Sequence, residues 1–358
     1  MNTNKWNTVL AAAALALTAG MTQAQVQTLA PPEVPGAAKA RMESIKVHSR
    51  QIEGNLLGTQ ADRDVIVVLP PSYDRERGRR YPVVYALHGY SISAEQWTKE
   101  IRLPQTAEGA FAKGTPEMIL VLPNSKNVYN GAFYSNSVAT GNFENFIADE
   151  LIDYIDSHYR TLARPESRGL VGHSMGGYGA SRIGIRRAER YGALYLMSPC
   201  CQSPSGARGL TAEQVKQIQG LSSADASSSL PFGLRGTLAL ASAWSPNPNN
   251  SPLFVDLPVD ASGKERPEIL AKWIANAPLA FLDQYAWKVR RYRAIALDVG
   301  DKDTLLEDTR RMHEALRALG IASTFEVYQG DHTSHVAFRV QDYMLPFFGR
   351  NLSFSQRK

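Results

Sequence analysis

The chain has 358 residues, 44% hydrophobic and 20% charged, which excludes the disordered, collagenous and membrane-embedded classes and leaves room for one large buried core or two modest ones. The formal net charge is +5, but the basic residues fall in short clusters such as "RERGRR" and "KVRRYR", as solvated loops do, so no nucleic-acid partner is expected. The only two cysteines, Cys200 and Cys201, are adjacent. A scaffold built on disulfides is thereby excluded, and an oxidising compartment leaves either two buried thiols or a strained vicinal ring.

The N-terminal stretch "MNTNKWNTVLAAAALALTAGMTQAQ" places Lys5 before an apolar run over 9–19 and a small-residue cleavage site. It predicts a secretory signal peptide over 1–24, cleaved after Ala24, and a destination in the bacterial periplasm or the medium. The run is short for a bilayer span, with a membrane anchor or an uncleaved tail as the alternative, and no other window approaches a transmembrane helix. Residues 25–43, rich in Pro and Ala, read as a flexible arm ahead of a folded domain over 44–350.

From residue 45 the pattern turns to β. "IKVHSRQI" alternates, and "RDVIVVLPPSY" runs apolar into a Pro-Pro stop. "YPVVYALHGY" and "EMILVLPN" are short apolar runs without alternation, as expected of strands covered on both faces. "FENFIADELIDYIDSHYR" repeats its apolar residues at helical spacing. "RGLVG" is a further buried strand, followed by a helix in "GYGASRIGIRRAERY" and a strand in "ALYLMSP". "AIALDVG" is the next strand, "LLEDTRRMHEALRALG" a helix, "TFEVYQG" a last strand, and residues 335–348 a closing helix. Apolar strands alternating with amphipathic helices predict an α/β fold with a mainly parallel central sheet and helices on both faces. Residues 202–287 break this rhythm and hold Trp244, Trp273 and Trp287, so they read as a cap-like insertion over the C-terminal edge of the sheet, where open α/β folds bind ligands.

The chemistry gathers around "GHSMG", residues 172–176, a G-x-S-x-G pattern. Alone the pattern is weak. An apolar strand before it and a helix after it give the context that a nucleophile elbow needs, with Ser174 held in an unfavourable backbone region and its Oγ exposed. A helix N-cap serine is the plainer reading. A serine attacks only when a base takes its proton. Of the seven histidines, His48, His158 and His313 lie away from the strand ends, His88 occupies the "HGY" turn, and His173 belongs to the elbow itself. His332 in "YQGDHTSHV" directly follows the last strand and is the preferred base, with His335 the alternative. Those two histidines also spell a metal-pair spacing, but no third ligand is in view and no metal is expected.

The base needs a carboxylate to fix its tautomer. "GDKDTL" offers Asp303, just past the turn, in preference to Asp301, while Asp298 still belongs to the strand. The order Ser174, Asp303, His332 is the chain order of α/β-hydrolases. Two backbone N–H groups are the candidate oxyanion donors, Met175 after the nucleophile and Tyr90 in the loop after "VVYALHG".

"YALHGY", "RGLVGHSMGGYGA", "LDVGDKD" and "GDHTSH" resemble the secreted esterase family that includes feruloyl esterases, enterochelin-type esterases, esterase D and the bacterial mycolyltransferases. The resemblance implies an α/β-hydrolase fold and the hydrolysis or transfer of a carboxylic acyl group without a metal or organic cofactor, with nucleophile, base and acid falling on Ser174, His332 and Asp303, and an oxyanion donor on Tyr90. The expected activity is an exported serine esterase acting on a small-molecule or carbohydrate ester through an acyl-enzyme. An acyltransferase on envelope sugars or lipids and a non-catalytic binding protein on the same fold are the alternatives. The long segment before "AIALDVG" departs from the family, so the resemblance names neither the acid nor the alcohol.

Overall fold

The computed structural model describes residues 28–203 and 210–356; the expected signal peptide lies outside them. Eight strands form the central sheet: β1 (Arg41–His48), β2 (Asp62–Leu69), β3 (Val83–Leu87), β4 (Ile119–Pro123), β5 (Arg168–His173), β6 (Ala193–Met197), β7 (Ala294–Gly300) and β8 (Thr324–Tyr328). Their spatial order is β1-β2-β4-β3-β5-β6-β7-β8. β2 pairs antiparallel with both β1 and β4, and every later pairing is parallel. The parallel strands need crossovers, and the helices that make them cover both faces.

Alternate side chains along each strand feed two cores. Val83, Tyr85 and Leu87 point to one face, where the helical residues 143–158 and 175–186 pack. Val84 and Ala86 point to the other, beneath Trp97, Ala107, Met344 and Phe348. This double coverage explains why the strands read as unbroken apolar runs.

The elements depart from expectation at three places. β1 begins at Arg41 and ends at His48, because Arg41–Glu43 pair with Leu69–Val67 and the chain turns after Ser49 donates its N–H to Ala61 C=O. The remainder of the arm is tied to the body: Leu29 N–H donates to Ser334 C=O at 2.8 Å, and Ala40 N–H to the Glu108 carboxylate at 2.9 Å. The two long helical segments each contain a wider π turn, Phe146–Glu150 and Val340–Met344.

The segment between β6 and β7 has two parts. Its helices Phe232–Trp244 and Pro267–Asn276 pack through Trp244 and Trp273, whose rings meet edge to face at 5.4 Å. Its last helix, Leu282–Val289, buries Leu282, Ala286 and Val289 in the core beside helix 175–186 and serves as the crossover into β7. Trp287 on that helix faces outward and is 58% exposed.

Candidate functional site

The site is built at the C-terminal ends of β3, β5, β7 and β8. β5 runs directly into the helix Met175–Arg186, and Ser174 makes the turn between them at φ 59° and ψ −116°. A non-glycine residue there is strained by about 1–3 kcal/mol, which persists only where the surroundings hold it. They hold it here: Ser174 N–H donates to Met197 C=O at 3.1 Å, and its carbonyl accepts from Tyr178 N–H at 2.9 Å and Cys200 N–H at 3.2 Å. The turn is possible because two glycines flank it. A Cβ on Gly172 would lie 2.0 Å from the Gly176 carbonyl oxygen, and one on Gly176 would lie 1.9 Å from the Leu87 carbonyl oxygen. The Ser174 side chain makes no helix-capping hydrogen bond, which removes the plainer reading of this serine.

That hydroxyl instead meets an imidazole. His332 Nε2 lies 2.9 Å from Ser174 Oγ, and His332 Nδ1 lies 2.8 Å from Asp303 Oδ2. The Asp303 side chain is fully shielded from solvent, whereas His332 remains about one-third exposed, at 35%. Burial alone would raise the Asp303 carboxyl. The hydrogen bond and charge of His332, with a further hydrogen bond from Leu305 N–H, outweigh it and hold the group below the usual carboxylate range. Asp303 is therefore ionised at neutral pH and accepts from Nδ1–H, which leaves Nε2 free to accept from the serine.

The neighbouring candidates are occupied elsewhere. Asp301 Oδ1 accepts from Gly330 N–H at 2.9 Å, and His335 Nδ1 lies 3.0 Å from Ser334 Oγ. Asp298 stays in β7, bound to Arg339 Nε at 2.7 Å and to Tyr195 Oη at 2.7 Å. Among the described residues, no group of three or more His, Cys, Asp or Glu side chains is gathered as a metal would require.

The two histidines that spacing leaves without a role frame the site. His88 is fully buried, and burial pushes it down to about 4, so it is neutral. Its Nε2 accepts from Ser125 N–H at 2.9 Å, which fixes the proton on Nδ1, and Nδ1–H donates to Gly89 C=O at 2.8 Å. That carbonyl and the Tyr90 N–H belong to one planar peptide unit and point in opposite directions. Holding the carbonyl therefore aims the N–H. The same loop abuts the nucleophile: a Cβ on Gly89 would lie 3.5 Å from Ser174 Cβ.

His173 is pushed down to about 3 by burial, and secondarily by the His332 charge. Its Nε2–H donates to the His332 carbonyl at 2.8 Å, with the two rings 4.8 Å apart. It thus ties the loop carrying the imidazole to the strand carrying the serine. The sequence signal for both histidines was their place in the "HGY" and "GHS" turns, but nothing in it shows which backbone groups they reach.

The aromatic loop over 127–137, "NVYNGAFYSNS", sends most of its rings into the core. Tyr129, Phe133 and Tyr134 are buried, Tyr134 Oη–H donates to His88 C=O at 3.0 Å, and Tyr129 Oη–H to Leu253 C=O at 3.1 Å, while Asn136 faces solvent beside Asn145. On the open side, the Tyr90 ring meets Phe232 edge to face at 5.3 Å; Phe232 is 68% exposed at the start of its helix. The insertion therefore comes within one side chain of the loop that carries Tyr90 N–H.

Eight strands in this order, a strained serine between strand and helix, and an acid and a base on the loops after β7 and β8 define the α/β-hydrolase fold. A solved ferulic acid esterase superposes with a TM-score of 0.64 over 89% of this chain and 100% of its own, at 22% identity. The chain matches the putative esterase family over residues 58–341 and belongs to it. An esterase of Mycobacterium tuberculosis is 30% identical over 148 residues, 40% of this chain and 30% of the relative. An endo-1,4-beta-xylanase/feruloyl esterase of Xylanibacter ruminicola is 30% identical over 136 residues, 37% of this chain and 19% of the relative. The alignments thus span less than a third of these curated relatives.

Proposed function

We propose that this protein is an exported serine esterase that hydrolyses a carboxylic ester through an acyl-enzyme. The observation that carries the reading is the hydrogen-bonded chain from Ser174 Oγ to His332 Nε2 at 2.9 Å and from His332 Nδ1 to Asp303 at 2.8 Å. His332 takes the Ser174 proton as Oγ attacks the ester carbonyl, and Asp303 stabilises the imidazolium that forms. The negative oxygen is received by Met175 N–H, at the start of the elbow helix, and Tyr90 N–H, in the peptide anchored by His88, backbone donors set in place before the reaction. The tetrahedral intermediate collapses, His332 returns the proton to the leaving alcohol, and the acyl group remains on Ser174. Water, deprotonated by His332, then releases the acid.

Ser174→Ala tests this directly. Turnover of a short nitrophenyl ester is expected to fall by at least about 10⁴-fold, with the thermal midpoint retained; preserved turnover would refute the role of Ser174. The N-terminal stretch supports export, and N-terminal sequencing of protein recovered from the periplasm or medium is expected to begin at Gln25. Feruloyl esterases stand among the relatives, so a panel of acetyl, longer acyl and hydroxycinnamoyl sugar esters is the appropriate search for the substrate. Adding a competing alcohol and weighing the products separates hydrolysis from transfer, since a transferase would deliver its acyl group to the alcohol in preference to water.

A further inference from the structure

Cys200 and Cys201 stand in the loop that follows β6, directly under the nucleophile turn. Their Sγ atoms lie 2.8 Å apart, and both residues are part-exposed. Cys201 carries a left-handed backbone at φ 60°, and Ser198 in the same loop is at φ 40°. The pair is clamped on both sides. Cys200 N–H donates to the Ser174 carbonyl at 3.2 Å, while Gln202 N–H and Ser203 N–H donate to the two Asp308 carboxylate oxygens at 2.7 and 3.0 Å. The loop also packs on the elbow helix so closely that a Cβ on Gly177 would lie 2.7 Å from Pro199 Cα.

We propose that Cys200 and Cys201 are a redox modification site that closes to a vicinal disulfide and, closed, braces the strap holding Ser174. The oxidant is an external disulfide, either a small-molecule one or that of a disulfide-forming protein. The Cys201 thiolate attacks one of its sulfurs to give a mixed disulfide and release a first thiol. Cys200 then loses its proton, attacks Cys201 Sγ and expels the second thiol. One S–S bond forms on the protein, one breaks in the oxidant, and two electrons and two protons pass to it. The neighbouring Cys201 sulfur pushes the Cys200 thiol up, which suits Cys201 to the first attack.

Two physical points favour a labile bond with a consequence for the site. Adjacent Cα atoms are about 3.8 Å apart, short of the roughly 4.4–6.8 Å that disulfides span, so the ring is strained and easily reduced. Closing it restricts the backbone on both sides of the Cys200–Cys201 peptide, and the N–H that holds the Ser174 carbonyl is that of Cys200. Opening the ring releases that restriction and leaves the left-handed Cys201 to be held by hydrogen bonds alone.

The experiment is a thiol count and a kinetic comparison on the mature protein. After incubation with oxidised glutathione, the denatured chain is expected to show no reactive thiol and a mass lower by two hydrogens; after dithiothreitol it should show two thiols. Reduction should lower the thermal midpoint by at least about 1 °C. It should also lower kcat for a nitrophenyl ester by at least about threefold with KM unchanged, against the roughly hundredfold that a 1 Å misplacement can cost. The Cys200→Ser/Cys201→Ser variant should be insensitive to reductant in both respects. Two thiols persisting after oxidation, or a disulfide that joins two chains, would overturn the site. A vicinal disulfide that forms without altering midpoint or kcat would overturn its bracing role. The kinetic arm rests on the esterase reading, whereas the thiol count and the midpoint do not, so the two failures are distinguishable.

Discussion

Ser174 holds a backbone that a serine would not choose, and it does so because its own N–H and C=O are bonded into the neighbouring strand and loop. The same logic governs the two buried histidines. Each is neutral, each has one N–H, and each spends it on a backbone carbonyl next to a group that the proposed reaction uses. His173→Phe removes the donor to the His332 carbonyl while keeping bulk, and kcat is expected to fall by about 10–100-fold with KM nearly unchanged, the signature of lost positioning. His173→Gln, which can still donate, should recover most of that loss; equal losses in both variants would show that the ring only fills space. The sequence points to Ser174, His332 and Asp303 as candidates because each sits at a fixed offset from a strand end, and the structure brings the three within hydrogen-bonding distance. The histidine roles were not, since His173 and the carbonyl it bonds are 159 residues apart and meet only when the loop after β8 folds back.

At the level of the elements, strand, turn and helix around Ser174 form one unit whose dimensions are set by two missing side chains. Gly176→Ala would drive a methyl into the Leu87 carbonyl oxygen at 1.9 Å, where only backbone is available to give way. This substitution is expected to cost more than about 3 kcal/mol, among the large values seen for single changes, and denaturant unfolding measures it. A loss below about 1 kcal/mol would mean that the helix can retreat from β3. Strand identities were readable from apolar runs, because coverage on both faces leaves no polar alternation to confuse them. The two π turns were not readable: an extra residue per turn shifts the helical phase without any residue type that signals it. The crossover role of Leu282–Val289 was hidden as well, since its amphipathic pattern is the same whether it belongs to a cap or to the sheet.

Across the whole molecule, the sheet buries a large apolar core on each face and locks two neutral histidines inside. His88 and His173 are lowered from 6.5 to about 4 and about 3 by burial. Below pH 6.5 the unfolded chain binds protons at these positions that the folded chain refuses, so their contribution to stability is present at neutral pH and declines as pH falls. Each contributes a slope of up to about 1.4 kcal/mol per pH unit in that window. Glu100, pushed up to about 6 by burial, acts in the opposite sense. The contribution of His173 is therefore read as a difference: urea unfolding of His173→Gln between neutral pH and about 5 should show a slope shallower by up to one proton than the parent protein. Identical slopes would mean that the ring is protonated in the fold. The fold class was legible from the βα alternation alone, while these buried polar anchors follow from packing that no single window of sequence contains. The most direct measurement is rapid-quench mass spectrometry during turnover of a nitrophenyl ester. An acyl group is predicted on the peptide containing Ser174, formed in the first turnover and lost by hydrolysis; turnover with that peptide unmodified, or acylation at another residue, would contradict the mechanism.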